Sequence, residues 1–216
     1  ERLRGRVVTA LSRRAKYLLA DLDDGEVLTM HLGMSGSFRI LMGEELTAPG
    51  LFHHSRPTSQ AHDHVAFDLR TASGSDARIL YNDPRRFGYM DLVARADLPA
   101  HRHFAGLGIE PTGNALDGNA LAALFSGRAM PLKAGLLDQR LIAGLGNIYA
   151  CEALWEARLC PRRPAMSILE SSGQPSNECH VLADAVASVI SRAIDAGGSS
   201  LRDHRQTDGT LGYFQH

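Results

Sequence analysis

The order of apolar and polar positions along the 216 residues changes character once, near Asp97. Before that point the apolar residues come in short runs or alternation. The runs are Val7 to Leu11, Tyr17 to Leu22, Val27 to Leu32, Val65 to Leu69, Arg78 to Tyr81 and Tyr89 to Val93. Breaks of Gly, Asp and Pro between such runs suit strands, whose successive side chains point to opposite faces. Asp23-Asp24-Gly25 is a hairpin signal between two of them. The spacing predicts an antiparallel sandwich or barrel. Glu44 to Ala61 is polar, irregular and rich in His, and reads as an insertion.

After Asp97 the period becomes helical. Leu116 to Phe125, Leu132 to Leu141 and Asn147 to Ala157 are three candidates. Asn177 to Ala196 is the longest, with Val181, Leu182, Ala185, Val189, Ala193 and Ile194 on one stripe and Gly197-Gly198 to stop it. The expected fold class is therefore α+β, with a β domain over 1–97 and a helical domain over 98–216.

Composition changes this picture little. The net charge of −1 leaves no global footprint for a polyanion, and the 44% apolar content is that of a globular chain. Charge is uneven, however: from Glu1 to Lys16 there are six basic residues (Arg2, Arg4, Arg6, Arg13, Arg14 and Lys16) against the single acid Glu1. Such an arm either meets phosphates or is a solvated face. Cys151, Cys160 and Cys179 lack Cys-x-x-Cys spacing, which argues against a disulfide framework or a cysteine zinc site and fits a reducing cytosol. Cys151 and Cys179 are expected to be core or half-buried thiols. No apolar run approaches the ~20 residues that span a bilayer, and no signal peptide is visible. The chain starts with Glu1 in mid-pattern, so its ends are expected not to be natural ones.

The most informative stretch is Asn82-Asp83-Pro84-Arg85-Arg86-Phe87-Gly88. Lying between two strand-like runs, it reads as a hairpin tip: Asp-Pro starts a turn and Gly88 lets the backbone reverse. A guanidinium fork beside a phenyl ring suits entry into a nucleic-acid stack, the ring filling space while Arg bonds base edges. Exposed arginines ahead of a buried Phe87 would look the same.

Other stretches carry chemistry of their own. Ile142-Ala143-Gly144-Leu145-Gly146-Asn147 offers glycines for close approach and Asn147 as an N-cap, which together build an anion site at a helix start. Arg128 and Lys133 lie upstream and add charge. A dinucleotide fingerprint fits less well, because Tyr149-Ala150 occupies the third glycine position and no strand–helix–strand unit surrounds it. Met34, in His31-Leu32-Gly33-Met34-Ser35-Gly36-Ser37, either fills an irregular gap such as a vacated base position or packs under a loop. His53, His54, His62 and His64 resemble metal ligands but lack a partner at firm spacing, and His62 is read as a phosphate contact. Lys16 enters an apolar strand from a basic run, where it binds an anion or moves a proton.

Together these stretches resemble the bacterial formamidopyrimidine-DNA glycosylase family, bifunctional base-excision enzymes that remove oxidised purines. The resemblance rests on Arg-Arg-Ala-Lys-Tyr-Leu-Leu (13–19), His-Leu-Gly-Met-Ser-Gly-Ser (31–37), His-Asp-His-Val (62–65) and Asn-Asp-Pro-Arg-Arg-Phe-Gly (82–88). It continues through Gly-Leu-Gly-Asn-Ile-Tyr-Ala (144–150), Ser-Leu-Arg-Asp (200–203), Gln206, Asp208-Gly209 and Gly212-Tyr213-Phe214. The endonuclease VIII group shares the helical clamp but lacks the pairing of Met with Arg-Arg-Phe, which favours the purine branch.

The resemblance implies an incomplete β-sandwich followed by a helix-two-turn-helix domain. It implies that Met34, Arg85 and Phe87 enter the duplex when the damaged nucleotide is flipped out, Arg85 bonding the estranged base. Lys16, His62, Arg128, Lys133 and Asn147 would contact phosphates, and Lys16 would also donate a proton in β-elimination. Glu152 would lie near the lesion, with Ser199 to Tyr213 closing over the flipped base. The implied partner is damaged double-stranded DNA, met by a cytoplasmic, nucleoid-associated monomer.

Two family features are not in this sequence: the N-terminal Pro that attacks the sugar with its following Glu, and the four-Cys zinc ribbon. Zinc ligands are accordingly expected beyond His216 and none within the chain. The stretch Glu1 to His216 is expected not to complete the reaction by itself. A non-catalytic module that holds damaged DNA is the alternative.

Overall fold

The computed structural model of the chain describes residues 1–43, 45–47, 59–113 and 115–196, the side chains of 45–47 excepted. Eight strands precede four helices. β1 (Val8–Arg14), β2 (Tyr17–Leu22), β3 (Glu26–His31) and β8 (Tyr89–Ala94) form one antiparallel sheet in that order. β4 (Ser37–Met42), β5 (Glu45–Thr47), β6 (Asp63–Arg70) and β7 (Asp76–Asn82) form the second, in the order β5-β4-β7-β6. The expected α+β class with an antiparallel β part thus stands.

The hairpin expected at Asn82–Gly88 does not. β7 pairs with β4 and β6, whereas β8 pairs with β3 from Glu26↔Ala94 to His31↔Tyr89. Asn82–Gly88 therefore crosses from one sheet to the other. Asp-Pro and Gly signals specify a change of direction, but strand partners are chosen by distant residues. The Asp23–Gly25 hairpin forms as expected, with Gly25 at φ +82°. A second tight turn was not foreseen: Ala15 and Lys16 join β1 to β2, with Ala15 at φ 52° and Arg14 opposite Tyr17.

Strand β4 also escaped sequence reading. Its buried positions are Ser37 and Arg39, so the polar residues point inward and the apolar alternation is inverted. Arg39 is paired with Asp63, to which Asn82 Nδ2 also donates at 2.7 Å. Within the expected insertion, Glu45–Thr47 pairs with β4 and Gln60–His62 is a single 3₁₀ turn. His53 and His54 lie outside the described residues.

The helices are α1 (Gly118–Phe125), α2 (Leu132–Leu137), α3 (Asn147–Glu156) and α4 (Asn177–Asp195). Asp117 caps α1 by accepting from Ala120 N at 2.7 Å, and Ser176 caps α4. α2 ends before the expected Leu141, because Asp138 turns to bind the Arg140 guanidinium. Their shared core includes fully buried Leu121, Phe125, Leu132, Leu136, Ile142 and Leu182. Each such side chain contributes about 1.5–3 kcal/mol relative to exposure. On α4, Val181 and Ile194 face solvent, while Cys179, Ala183 and Val186 complete the buried stripe. Cys151, expected to be at least half-buried, is exposed.

A smaller core of Leu19, Val27, Val93, Leu98 and Phe104 holds the first sheet to the segment that follows it. The β and helical parts meet at Glu110. Its carboxylate accepts from Arg13 Nη2 and Arg14 Nη1, each at 2.8 Å, and from Ala15 N at 2.5 Å. Arg14 also donates to the Gly108 carbonyl at 2.7 Å. Burial would raise the Glu110 pKa, but these donors outweigh it and hold the carboxyl below the usual range. Arg2 pairs with Glu26 and Arg6 with Asp24, so much of the basic arm is neutralised within the fold. Among the described residues no helix is long and apolar enough to cross a membrane.

Candidate nucleic-acid interface

Two loops from different strand connections meet at one point. The β3–β4 loop carries Met34 and the β7–β8 crossover carries Arg85 and Phe87. Met34 is 49% exposed and Phe87 55%, unusual for large apolar side chains beside a structured sheet. Gly33 makes the approach possible: it sits at φ +64°, and a Cβ there would lie 2.7 Å from Gly88 N and 2.9 Å from Phe87 Cβ. Arg85 stacks its guanidinium over the Phe87 ring, with Cζ 4.9 Å from the centroid. Met34, Arg85 and Phe87, predicted as a set, are thus brought together.

Under the loops lies Asp83, fully buried. Its Oδ1 accepts from Ser35 Oγ at 2.5 Å and Arg85 N at 3.3 Å, and its Oδ2 from Gly88 N at 2.8 Å and Tyr81 Oη at 3.1 Å. Burial pushes this carboxyl upward, yet the four donors prevail and hold it below the usual range. Tyr81 is raised by burial and by the adjacent Asp83 charge. His62 supplies its backbone carbonyl to Asp83 N at 3.0 Å. His64 reaches the Asp83 carbonyl with Nε2 at 2.9 Å, and a carbonyl only accepts, so Nε2 carries the proton. His62 and His64 therefore brace the crossover from beneath.

A cationic point lies at the seam between the β and helical parts. Lys16 stands on the β1–β2 turn, where Gly144 packs on Ala15, and its Nζ donates to the Leu145 carbonyl at 3.3 Å. A Cβ on Gly146 would lie 3.9 Å from Nζ, an ordinary contact, so the ammonium stands beside the N-cap of α3. The side chain as a whole is exposed, but crowding around the ammonium lowers the Lys16 pKa. Asn147 is not the N-cap: Gly146 holds that position, and Asn147 is the first helical residue. Its exposed amide is consequently not committed to capping. The helix dipole and Lys16 together favour an anion here.

Two contributors were missed. Gln139 braces the Gly144–Gly146 loop from inside, accepting from Gly144 N and donating to the Leu145 carbonyl, both at 2.9 Å. His31 links the two halves of the site: Nδ1 accepts from Gly33 N at 3.0 Å, and burial, Lys16 and His103 lower its pKa. No local signal marked Gln139; His31 stood in the Met34 stretch without a role. The remaining candidates are spread wider. Lys133 lines a cleft with Cys151, whose Sγ lies 3.9 Å from Asn147 Oδ1. Arg128 donates to the Leu124 carbonyl at 2.7 Å, and no described contact joins it to the Lys16 point. Glu152 is half-buried on α3. Ser199 and Tyr213 lie outside the described residues.

Two antiparallel sheets, a helical unit whose α3 start lies beside the Lys16 ammonium, and two exposed apolar loop tips define a two-part protein of the helix-two-turn-helix class. Residues 1–90 match the profile described as the formamidopyrimidine-DNA glycosylase N-terminal domain, and residues 107–205 that of its H2TH domain. Among relatives named formamidopyrimidine-DNA glycosylase, that of Allorhizobium ampelinum is 56% identical over all of this chain and 72% of its own length. That of Mesorhizobium japonicum is 58% identical over all of this chain and 73% of its own. The crystal structure of the Thermus thermophilus MutM (Fpg) protein superposes with a TM-score of 0.73 at 36% identity, covering 97% of this chain and 69% of that one. Lactococcus lactis Fpg bound to abasic-site DNA gives 0.75 at 29% identity, covering 98% and 68%. The chain belongs to the formamidopyrimidine-DNA glycosylase family.

Proposed function

We propose that the chain is the duplex-reading body of a base-excision DNA glycosylase and AP lyase that removes oxidised purines, 8-oxoguanine and formamidopyrimidines, opposite cytosine. The observation that carries this reading is the Met34, Arg85 and Phe87 cluster, three exposed side chains on two loops fixed to one buried frame. Extruding a nucleotide leaves a hole and an orphan base. Met34 and Phe87 fill space, and Arg85 presents a bidentate donor to the base left behind. Lys16, Asn147 and the α3 start hold the backbone phosphate beside it, with His31 alongside. His62, Arg128 and Lys133 are assigned further phosphate contacts, and Glu152, Ser199 and Tyr213 the lesion side. Lys16, with its lowered pKa, is also the general acid of β-elimination, since a proton leaves it more readily than an ordinary lysine.

The reading takes the functional division at Asp97, near the start of the helical match, and the protein as a monomer working in the bacterial cytoplasm at the nucleoid. Zinc does not fit here: among the described residues no group of three or more His, Cys, Asp or Glu is placed to hold a metal. No step is assigned to it, and zinc is proposed only for residues outside this sequence.

The test is binding of a duplex carrying a tetrahydrofuran abasic-site analogue opposite C or A. The chain should prefer the abasic duplex over an intact one, and Arg85→Ala should lose about 1–3 kcal/mol together with its preference for C. Full retention of that preference would end the readout role of Arg85. Borohydride with an 8-oxoguanine duplex should trap no adduct, and a trapped adduct would show that this stretch carries its own nucleophile.

A further inference from the structure

Among the described residues the Asp83 carboxylate joins both loops to the sheet beneath them. Ser35 comes from the Met34 loop, Arg85 and Gly88 from the Phe87 loop, and Tyr81 from β7. No cationic side chain pairs with it in these contacts, because Arg85 sends only its backbone N–H and turns its guanidinium onto Phe87. A buried carboxylate held by hydrogen bonds alone is costly unless each one is made. Part of the arrangement is local, since Asp83 and Arg85 N form an Asx turn. Ser35 lies 48 positions away, and an Asx turn does not require it.

We propose that Asp83 is a positioning residue that fastens the Met34 and Arg85–Phe87 loops into one probe, so that the void-filling and base-reading groups enter a duplex as a unit. The chemistry makes an isosteric replacement decisive. In Asp83→Asn one oxygen becomes an NH₂ donor. Ser35 and Tyr81 can rotate their hydroxyls to suit it, but backbone N–H groups cannot reverse. With the NH₂ at the Oδ2 site the amide meets the Gly88 N–H donor to donor, and with it at the Oδ1 site it meets Arg85 N, which then keeps only its 3.2 Å bond to Ser35 Oγ. The ionised acid is the form that satisfies both loops.

The role in recognition rests on the proposed function, while the coupling of the loops can be read without DNA. Amide hydrogen exchange is measured on the 216-residue chain and on Ser35→Ala, which removes the hydroxyl that holds Asp83 and Arg85 N but makes no bond to Gly88. Exchange at Gly88, on the other loop, should accelerate at least about tenfold, which is roughly the loss of one net hydrogen bond. Unchanged exchange at Gly88 means the loops are independent and overturns the proposal. With DNA, Asp83→Asn should keep its affinity for an intact duplex within about twofold and lose about tenfold of its preference for the abasic duplex, the equivalent of one well-placed contact. A variant that folds and keeps that preference also overturns it. If Asp83→Asn does not fold, Ser35→Ala supplies the same comparison. A wild-type chain with no preference for the abasic duplex, but with accelerated Gly88 exchange in Ser35→Ala, sinks the proposed function and leaves the coupling standing.

Discussion

The Lys16 ammonium lies 3.3 Å from the carbonyl of Leu145, a residue 129 positions further along the chain. A lysine from a strand turn is thereby fixed beside the segment that enters α3, across the seam of the two parts. Glu110 holds that seam closed by taking Arg13, Arg14 and Ala15 N from the same strand turn.

Lys16 should have a measurable signature in both salt and pH. Removing one phosphate contact lowers the slope of log affinity against log salt by about 0.9 for duplex DNA, so Lys16→Met should show that reduction. Burial places its pKa below the ordinary lysine value, so duplex affinity should fall as pH rises through that lowered value and stay flat there in Lys16→Met. Stability runs the other way: between the lowered folded pKa and the unfolded one, the unfolded chain binds the extra proton, and stability should rise with pH. Titrating affinity at several salt concentrations checks the assignment, and an unchanged slope in Lys16→Met removes it.

Gly33→Ala should separate the loops without altering Met34, Arg85 or Phe87. The left-handed φ of +64° strains an alanine, and its Cβ would overlap the backbone of Phe87 and Gly88. Such strain costs about 1–3 kcal/mol. Selectivity for the abasic duplex should drop while the Lys16-dependent salt slope stays. Loss of both together would mean that the substitution unfolds the domain.

Glu110→Gln should loosen the seam. The carboxylate carries three charge-assisted or backbone contacts, but Arg13 is 45% exposed and Arg14 35%, so water replaces part of each. The expected loss of stability is about 1.5–2 kcal/mol, the lower part of the range for hydrogen bonds to charged groups. Thermal unfolding measures it. The same variant should lose the Lys16 share of the salt slope, because the β1–β2 turn no longer registers on α3.

The three thiols should divide by exposure. Cys151 and Cys160 are exposed, whereas Cys179 is buried and burial pushes its thiol pKa up. A colorimetric thiol reagent should label two sulfurs rapidly in the native chain and the third only on unfolding. Rapid labelling of all three would mean that the α4 core opens readily.

Much of the site was legible in residues that lie close together. Asp83-Pro84 and Gly88 announce a turn, and Gly144 and Gly146 announce a close approach, because those preferences act within a few bonds. The helices were legible from their apolar period, and Met34, Arg85 and Phe87 stood out from their neighbours. What lay beyond reach were relations between distant residues. Asn147 looked like a cap, but Gly146 took that position; Gln139 carried no mark of its brace; and Ser199 and Tyr213 stay outside the described residues.

By itself the sequence determined the succession of strands and then helices, the turn at Asn82–Gly88 and the resemblance that grouped Met34, Arg85 and Phe87. Tertiary structure alone decided that β7 and β8 belong to different sheets, making that turn a bridge between them. It also decided that Arg39 points inward to Asp63, that Lys16 reaches the Leu145 carbonyl ahead of α3, and that Asp83 gathers donors from both loops. The physical reason is the range of the forces involved. Backbone preference and periodicity are settled within a few residues, while pairing, burial and the pKa of a buried group depend on partners that only the folded chain brings into contact.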